Sequence, residues 1–209
     1  MSGQNLKSFL ALGDSYTIGE SVMASERFPD QTAQFLMARQ IKIGDPEIIA
    51  TTGWTTRDLI NAIDAKTPKN NYSVVTLLIG VNNQYQGKSI DEYTSEFSFL
   101  LNHAIGYAGN KKENVYVLSI PDYSVTPFAR ESDTVRIAKE IDEFNAVNRK
   151  ISFDAGVNYI DITPISREAK YDPSLIASDG LHPSGKQYKR WAEILVQKII
   201  APIPNVRDP

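Results

Sequence analysis

The stretch Phe9-Leu10-Ala11-Leu12-Gly13-Asp14-Ser15 decides how the rest of the sequence is read. Its apolar residues run on without alternation and then stop at glycine, aspartate and serine. An unbroken apolar run of this length fits a parallel strand covered on both faces. Four further runs follow the same pattern: Glu47 to Thr51, Val74 to Ile79, Val115 to Ile120 and Asn158 to Ile162.

Helical patterns lie between these runs. Tyr93, Phe97, Leu100, Leu101, Ala104, Ile105 and Ala108 recur at steps of three and four and form one apolar stripe. Capping-box spacings mark helix starts at Ser89 with Glu92, Thr55 with Asp58 and Ser184 with Gln187. The last of these precedes a stripe of Tyr188, Trp191, Ala192, Leu195 and Ile199. A long helix is predicted from about Asp133 to Asp154, with Ile137, Ile141, Phe144, Asn148 and Ile151 on one side. Pro202 and Pro204 end the fold, and residues 202–209 are expected to form a loose tail. The alternation predicts a single α/β domain over residues 1–209, with three layers (α/β/α) around a five-stranded parallel sheet. Ligands of such sheets bind beyond the carboxyl ends of the strands.

Composition narrows the partners. With 209 residues and 42% hydrophobic side chains the chain can bury a full core. Its 22 Lys and Arg against 25 Asp and Glu leave a formal net charge of -3, without the basic field that nucleic-acid binding needs. The absence of cysteine excludes disulfides, thiolate catalysis and cysteine metal sites. Two histidines without cysteine argue against a zinc hydrolase, so no metal or cofactor is expected. No segment has the length of a membrane span or of a signal-peptide apolar core, and no membrane partner is expected. The chain as given therefore reads as cytoplasmic.

Four segments at or after the predicted strands carry chemistry. Gly13-Asp14-Ser15 can present a hydroxyl at the sheet edge, where a base must activate it. Gly53, within Thr51-Thr52-Gly53-Trp54, can turn a backbone N–H toward a developing oxyanion. Asn82, within Gly80-Val81-Asn82-Asn83, can supply a second donor. In Asp179-Gly180-Leu181-His182-Pro183 the aspartate can hold the imidazole by its Nδ1 proton and leave Nε2 free as a base. Pro183 keeps His182 out of the helix that follows. The other histidine, His103, sits on the striped helix, where a structural or surface role is expected. Each segment alone is also explained as an ordinary turn, for which Gly, Asp, Asn and Ser are suited. Their coincidence on one rim is what points to catalysis.

In order and spacing these residues resemble the SGNH, or GDSL, hydrolase family: Ser15 within Gly-Asp-Ser, then Gly53, Asn82, and Asp179 with His182. The resemblance runs from Phe9 to the last helix. It implies a flavodoxin-like sheet of order 2-1-3-4-5, a Ser15–His182–Asp179 triad, and an oxyanion hole from the Ser15 and Gly53 N–H groups and the Asn82 side chain. The family often has aspartate where this chain has Asn83, which leaves local support or substrate contact for that residue. No Gly-x-Ser-x-Gly elbow is present, which argues against an α/β-hydrolase.

The expected activity is hydrolysis of carboxylic esters of small or medium acyl groups, with a small-molecule ester as partner and no lipid droplet, since no long apolar lid helix is evident. Tyr16, Trp54, Asn83, Tyr85 and Tyr123 are candidate substrate contacts, with Phe128 on the same predicted loop as Tyr123. The long loop from Pro164 to Ser178 is a candidate wall or partial lid. Carbohydrate deacetylation and acyl transfer remain open at the same site. A silent binding module leaves the intact Ser15, Asp179 and His182 without a purpose. A phosphoacceptor role for Asp14 leaves Asn82, Asp179 and His182 unexplained.

Overall fold

The structure, a computed structural model, describes residues 6–201. The expected tail at 202–209 lies outside the described residues. Five parallel strands form one sheet: β1 (Phe9–Gly13), β2 (Glu47–Ala50), β3 (Val74–Leu78), β4 (Val115–Leu118) and β5 (Asn158–Ile160), in the order β2-β1-β3-β4-β5. The three inner strands are buried along their whole length, which is why their sequences do not alternate. The edge strands β2 and β5 are only partly covered.

Among the described residues eight α-helices flank the sheet on both sides: α1 (Ser15–Ile18), α2 (Phe28–Ala38), α3 (Thr56–Lys66), α4 (Val81–Tyr85), α5 (Ile90–Tyr107), α6 (Thr134–Ala155), α7 (Thr163–Arg167) and α8 (Gly185–Ile200). In one helical layer α3 packs on α5 and α5 on α6; α2 pairs with α8. The α2–α8 seam is aromatic. The Phe28 ring lies 6.4 Å from that of Tyr188 and 6.3 Å from that of Trp191, and both α8 rings are fully buried.

The expected caps are present. The Thr55 N–H donates to Asp58 at 2.9 Å while the Asp58 N–H donates back to the Thr55 hydroxyl at 3.4 Å. Ser89 Oγ accepts from the Glu92 N–H at 3.1 Å, and Asp133 caps α6. At Ser89 and at Ser184 only half of the box forms; at Ser184 the Gln187 side chain turns away to donate to the Leu175 carbonyl at 2.9 Å.

Register does the work that positions the site. β1 lies between β2 and β3, and Gly13 pairs with Ala50 on one side and Leu78 on the other. Three strand ends therefore finish level, and the chain leaves all three at the same rim. Gly13 is required there by close approach: a Cβ would fall 2.1 Å from Thr17 Oγ1 and 2.4 Å from the Leu78 carbonyl oxygen.

The segment 164–178 is neither a long loop nor a lid. It folds into α7 and two short 3-10 turns, Glu168–Lys170 and Pro173–Leu175, whose local hydrogen bonds a reading for apolar periodicity does not register. Its end backs the loop carrying His182: Ala177 N–H donates to the His182 carbonyl at 2.8 Å, and Ser184 N–H to that of Leu175 at 2.8 Å.

Candidate active site

Ser15 is the first residue of α1 and follows β1 with a single residue between. That residue, Asp14, caps the helix by accepting the Tyr16 N–H at 3.0 Å. The first N–H groups of a helix have no acceptor within it, so the Ser15 N–H stands at a position free to serve an incoming oxygen. Burial pushes the Asp14 carboxyl up from 3.8 to about 7, against the opposing effect of the Tyr16 N–H. Gly19, in the left-handed region at φ 73°, ends α1.

The turn after β2 brings Gly53 to the same rim with φ 83°, in the left-handed region, and with open space where a Cβ would stand. After β3, Asn82 is the second residue of α4. One of its amide hydrogens goes to the Trp54 carbonyl at 2.9 Å, which fixes the side chain and leaves a second N–H to donate.

The fourth piece arrives from the far end of the sequence. Asp179 Oδ1 accepts the N–H groups of Leu181 at 2.9 Å and His182 at 3.0 Å, so the aspartate folds its own loop. Its Oδ2 takes His182 Nδ1 at 2.6 Å and the Ser21 hydroxyl at 2.7 Å. Partial burial pushes the Asp179 carboxyl up, but the hydrogen bonds from Ser21, His182 and the two amides outweigh it and hold it down at about 2. With Nδ1 bound to a carboxylate, Nε2 is the nitrogen left to accept a proton. Ser21 is a partner that sequence reasoning missed. It lies in a turn with φ 64°, and nothing in its local sequence marks it as facing Asp179.

Ser15, Gly53, Asn82 and His182 line one cavity of about 150 Å3. Its remaining wall is largely apolar, from Tyr16, Val81, Tyr85, Tyr123, Phe128 and Leu181. The Tyr16 ring lies 5.3 Å from the imidazole. Tyr85, Tyr123 and Phe128 form a mutual cluster with centroids 6.1 to 6.3 Å apart. Among the described residues no hydrogen bond joins Ser15 Oγ to His182; such contacts commonly tighten only when substrate is bound. Larger cavities exist elsewhere. The groove of about 590 Å3 beside α6 and α7 carries the ion pairs Arg149–Asp161 and Arg167–Asp142 and contains no histidine.

Two expected contacts do not reach the cleft. Asn83 is fully buried. Its Oδ1 accepts the Thr56 N–H at 3.0 Å and its Nδ2 donates to Thr56 Oγ1 at 2.6 Å, so it ties α4 to the start of α3 and supports the fold instead of touching substrate. The Trp54 side chain packs against the core, and only its carbonyl serves the site, through Asn82. Trp54 sits in a turn and Asn83 in helix α4, and in both settings successive residues point in different directions, which a reading by proximity in sequence cannot resolve. His103 is remote, on the exposed side of α5, with its ring 4.1 Å from that of Phe99.

Solved structures of the same architecture are numerous. A lipase/acylhydrolase from Enterococcus faecalis superposes with a TM-score of 0.70 at 16% identity, covering 93% of this chain and 95% of that one. The psychrotrophic esterase EstA from Pseudoalteromonas sp., in a form inhibited by monoethylphosphonate, gives 0.66 at 19% identity over 93% and 96%. An acetylxylan esterase from Geobacillus stearothermophilus gives 0.69 at 20% identity over 97% of each chain. At such identities the likeness is one of fold. No curated protein matches the chain significantly in sequence. The profile of the GDSL-like Lipase/Acylhydrolase family does match, over residues 11–190, a span that runs from β1 into α8 and takes in Ser15, Gly53, Asn82, Asp179 and His182. The chain therefore belongs to the GDSL-like lipase/acylhydrolase family.

Proposed function

We propose that the protein hydrolyses carboxylic esters, with Ser15 as nucleophile, His182 as base and Asp179 holding the imidazole. The observation that carries this reading is the meeting of Ser15, Gly53, Asn82 and an Asp179-bound His182 in one cleft. His182 Nε2 takes the Ser15 proton as Oγ attacks the acyl carbon. The Ser15 and Gly53 N–H groups and the Asn82 amide receive the oxyanion. The imidazolium returns its proton to the leaving alcohol oxygen, and water repeats the sequence on the acyl-enzyme. The low-lying Asp179 carboxyl stays ionised throughout and stabilises the imidazolium. The cleft volume and its three-ring wall favour short acyl groups. The described residues lining the cleft carry no acidic or basic side chain besides His182, which Asp179 holds, and this suits a neutral ester.

The test is turnover of p-nitrophenyl esters from acetate to octanoate by wild type and Ser15→Ala. Ser15→Ala is expected to lower kcat by roughly 10⁴ or more. Near-normal turnover in the folded variant refutes the nucleophile. A preference for octanoate over acetate refutes the short acyl pocket.

A further inference from the structure

The cleft of about 150 Å3 is too small for an acyl group and a sizeable alcohol together, so part of any larger substrate must leave it. Two of its wall residues, Tyr85 and Tyr123, are also walls of a second cavity, of about 380 Å3. The Tyr85 ring, 60% exposed, is the ridge between the two.

The far cavity differs in chemistry. Its sides carry Lys88, Arg136, Glu140 and Glu143, two cations and two carboxylates, so it presents no net field to an ion. Their ion pairs are loose: Arg136 to Glu140 at 3.7 Å, Lys88 to Glu92 at 3.8 Å and Lys139 to Glu143 at 3.7 Å. Pairs of this length leave donors and acceptors open to a third group. By contrast, Arg167 closes on Asp142 at 2.8 Å on the other side of α6. Gln84, only 6% exposed, lines the cavity; its Nε2 donates to Glu140 at 2.7 Å, and its Oε1 has no hydrogen-bond partner among the described residues. Ile137 and Phe144 add an apolar floor.

We propose that this cavity is a subsite for an uncharged, polyhydroxylated alcohol group of the ester, a pyranose ring, which crosses the Tyr85 ridge from the catalytic cleft. A sugar ring has an apolar C–H face, which suits the exposed tyrosine ring, and hydroxyls that both donate and accept, which suit neighbouring carboxylates and cations. A long alkyl chain would gain little there, because the four charged groups stay in contact with water and offer it little apolar surface. The inference rests on the ester-hydrolase reading and names the alcohol side of its substrate.

Two measurements test it separately from that reading. The first compares kcat/KM for glucose pentaacetate and p-nitrophenyl acetate in wild type, Glu140→Gln and Arg136→Met. Arg136 is exposed, and Glu140→Gln keeps an oxygen for the Gln84 Nε2 donor. The ratio of the sugar ester to the aryl ester is expected to fall about ten-fold or more in each variant, through KM, as loss of a hydrogen bond to a charged group implies. An unchanged ratio overturns the subsite. The second is saturation-transfer NMR of xylobiose with Ser15→Ala protein, with and without Glu140→Gln. Transfer that weakens with Glu140→Gln supports the subsite even if no ester is turned over. No transfer to Ser15→Ala protein that is otherwise folded overturns it even if p-nitrophenyl acetate is cleaved.

Discussion

Replacing Asp14 by asparagine is expected to stabilise the folded protein by an amount that grows with pH. Asp14 is 1% exposed, and burial raises its carboxyl from 3.8 to about 7. A group whose folded value is raised binds its proton more tightly when folded. Its favourable contribution is complete below 3.8 and is lost as pH climbs through about 7. A shift of about three pH units corresponds to about 4 kcal/mol, with a slope of about 1.4 kcal/mol per pH unit inside the window. Being fully buried, Asp14 is not screened by solvent. Asparagine keeps an oxygen for the Tyr16 N–H, which now lies 3.0 Å from Oδ1, so the cap on α1 survives. Urea unfolding of both proteins at about pH 4.5 and about pH 8 isolates the effect, because other titrating groups cancel in the difference. The variant should be ahead by about 1 kcal/mol at the lower pH and by about 4 kcal/mol at the higher. A difference that is the same at both would mean that Asp14 ionises when folded as it does when unfolded, and would refute the reasoning.

Other perturbations separate chemistry from scaffold. Asn82→Ala should cost about 10²–10³ in kcat for p-nitrophenyl acetate, the effect of losing one oxyanion donor. A change confined to KM would make Asn82 a binding residue instead. Asn83→Ala should lower unfolding free energy by about 1–3 kcal/mol, because the buried Thr56 N–H is left unpaired, and should leave KM close to wild type; a large rise in KM would return Asn83 to the substrate. Gly13→Ala should destabilise by about 1–3 kcal/mol or more, since its Cβ meets the Leu78 backbone carbonyl as well as Thr17. An unaltered melting temperature for Gly13→Ala would mean that the strand ends can separate without cost.

The sheet was legible because burial on both faces forces continuous apolar runs at Phe9–Leu12, Val74–Ile79 and Val115–Ile120, and these fall on the three inner strands. The caps at Thr55 and Ser89 and the helix start near Asp133 were legible because one short-range hydrogen bond defines each. Helix α2 was passed over, although Phe28, Thr32, Phe35 and Leu36 recur at helical steps and Pro29 sits in its first turn, where proline is tolerated. The Asp179–His182 contact could be anticipated, since three residues on a loop can bring the two side chains together. Its third member, Ser21, comes from the opposite end of the sequence, and only tertiary packing sets that meeting. The same limit explains Trp54 and Asn83. Their neighbours in sequence face the cleft, but each side chain points away from it, and that direction is fixed by tertiary contacts that no spacing encodes.

The union of α8 with α2 has a kinetic corollary. Ser15, Gly53 and Asn82 all belong to the first half of the chain, whereas His182 stands one turn ahead of α8, whose Tyr188 and Trp191 dock against Phe28. Contacts between such distant segments close slowly, because the intervening chain must be ordered first. During refolding, far-UV signal should therefore return before the cleft is whole, and the regain of turnover would time the final docking of the two ends.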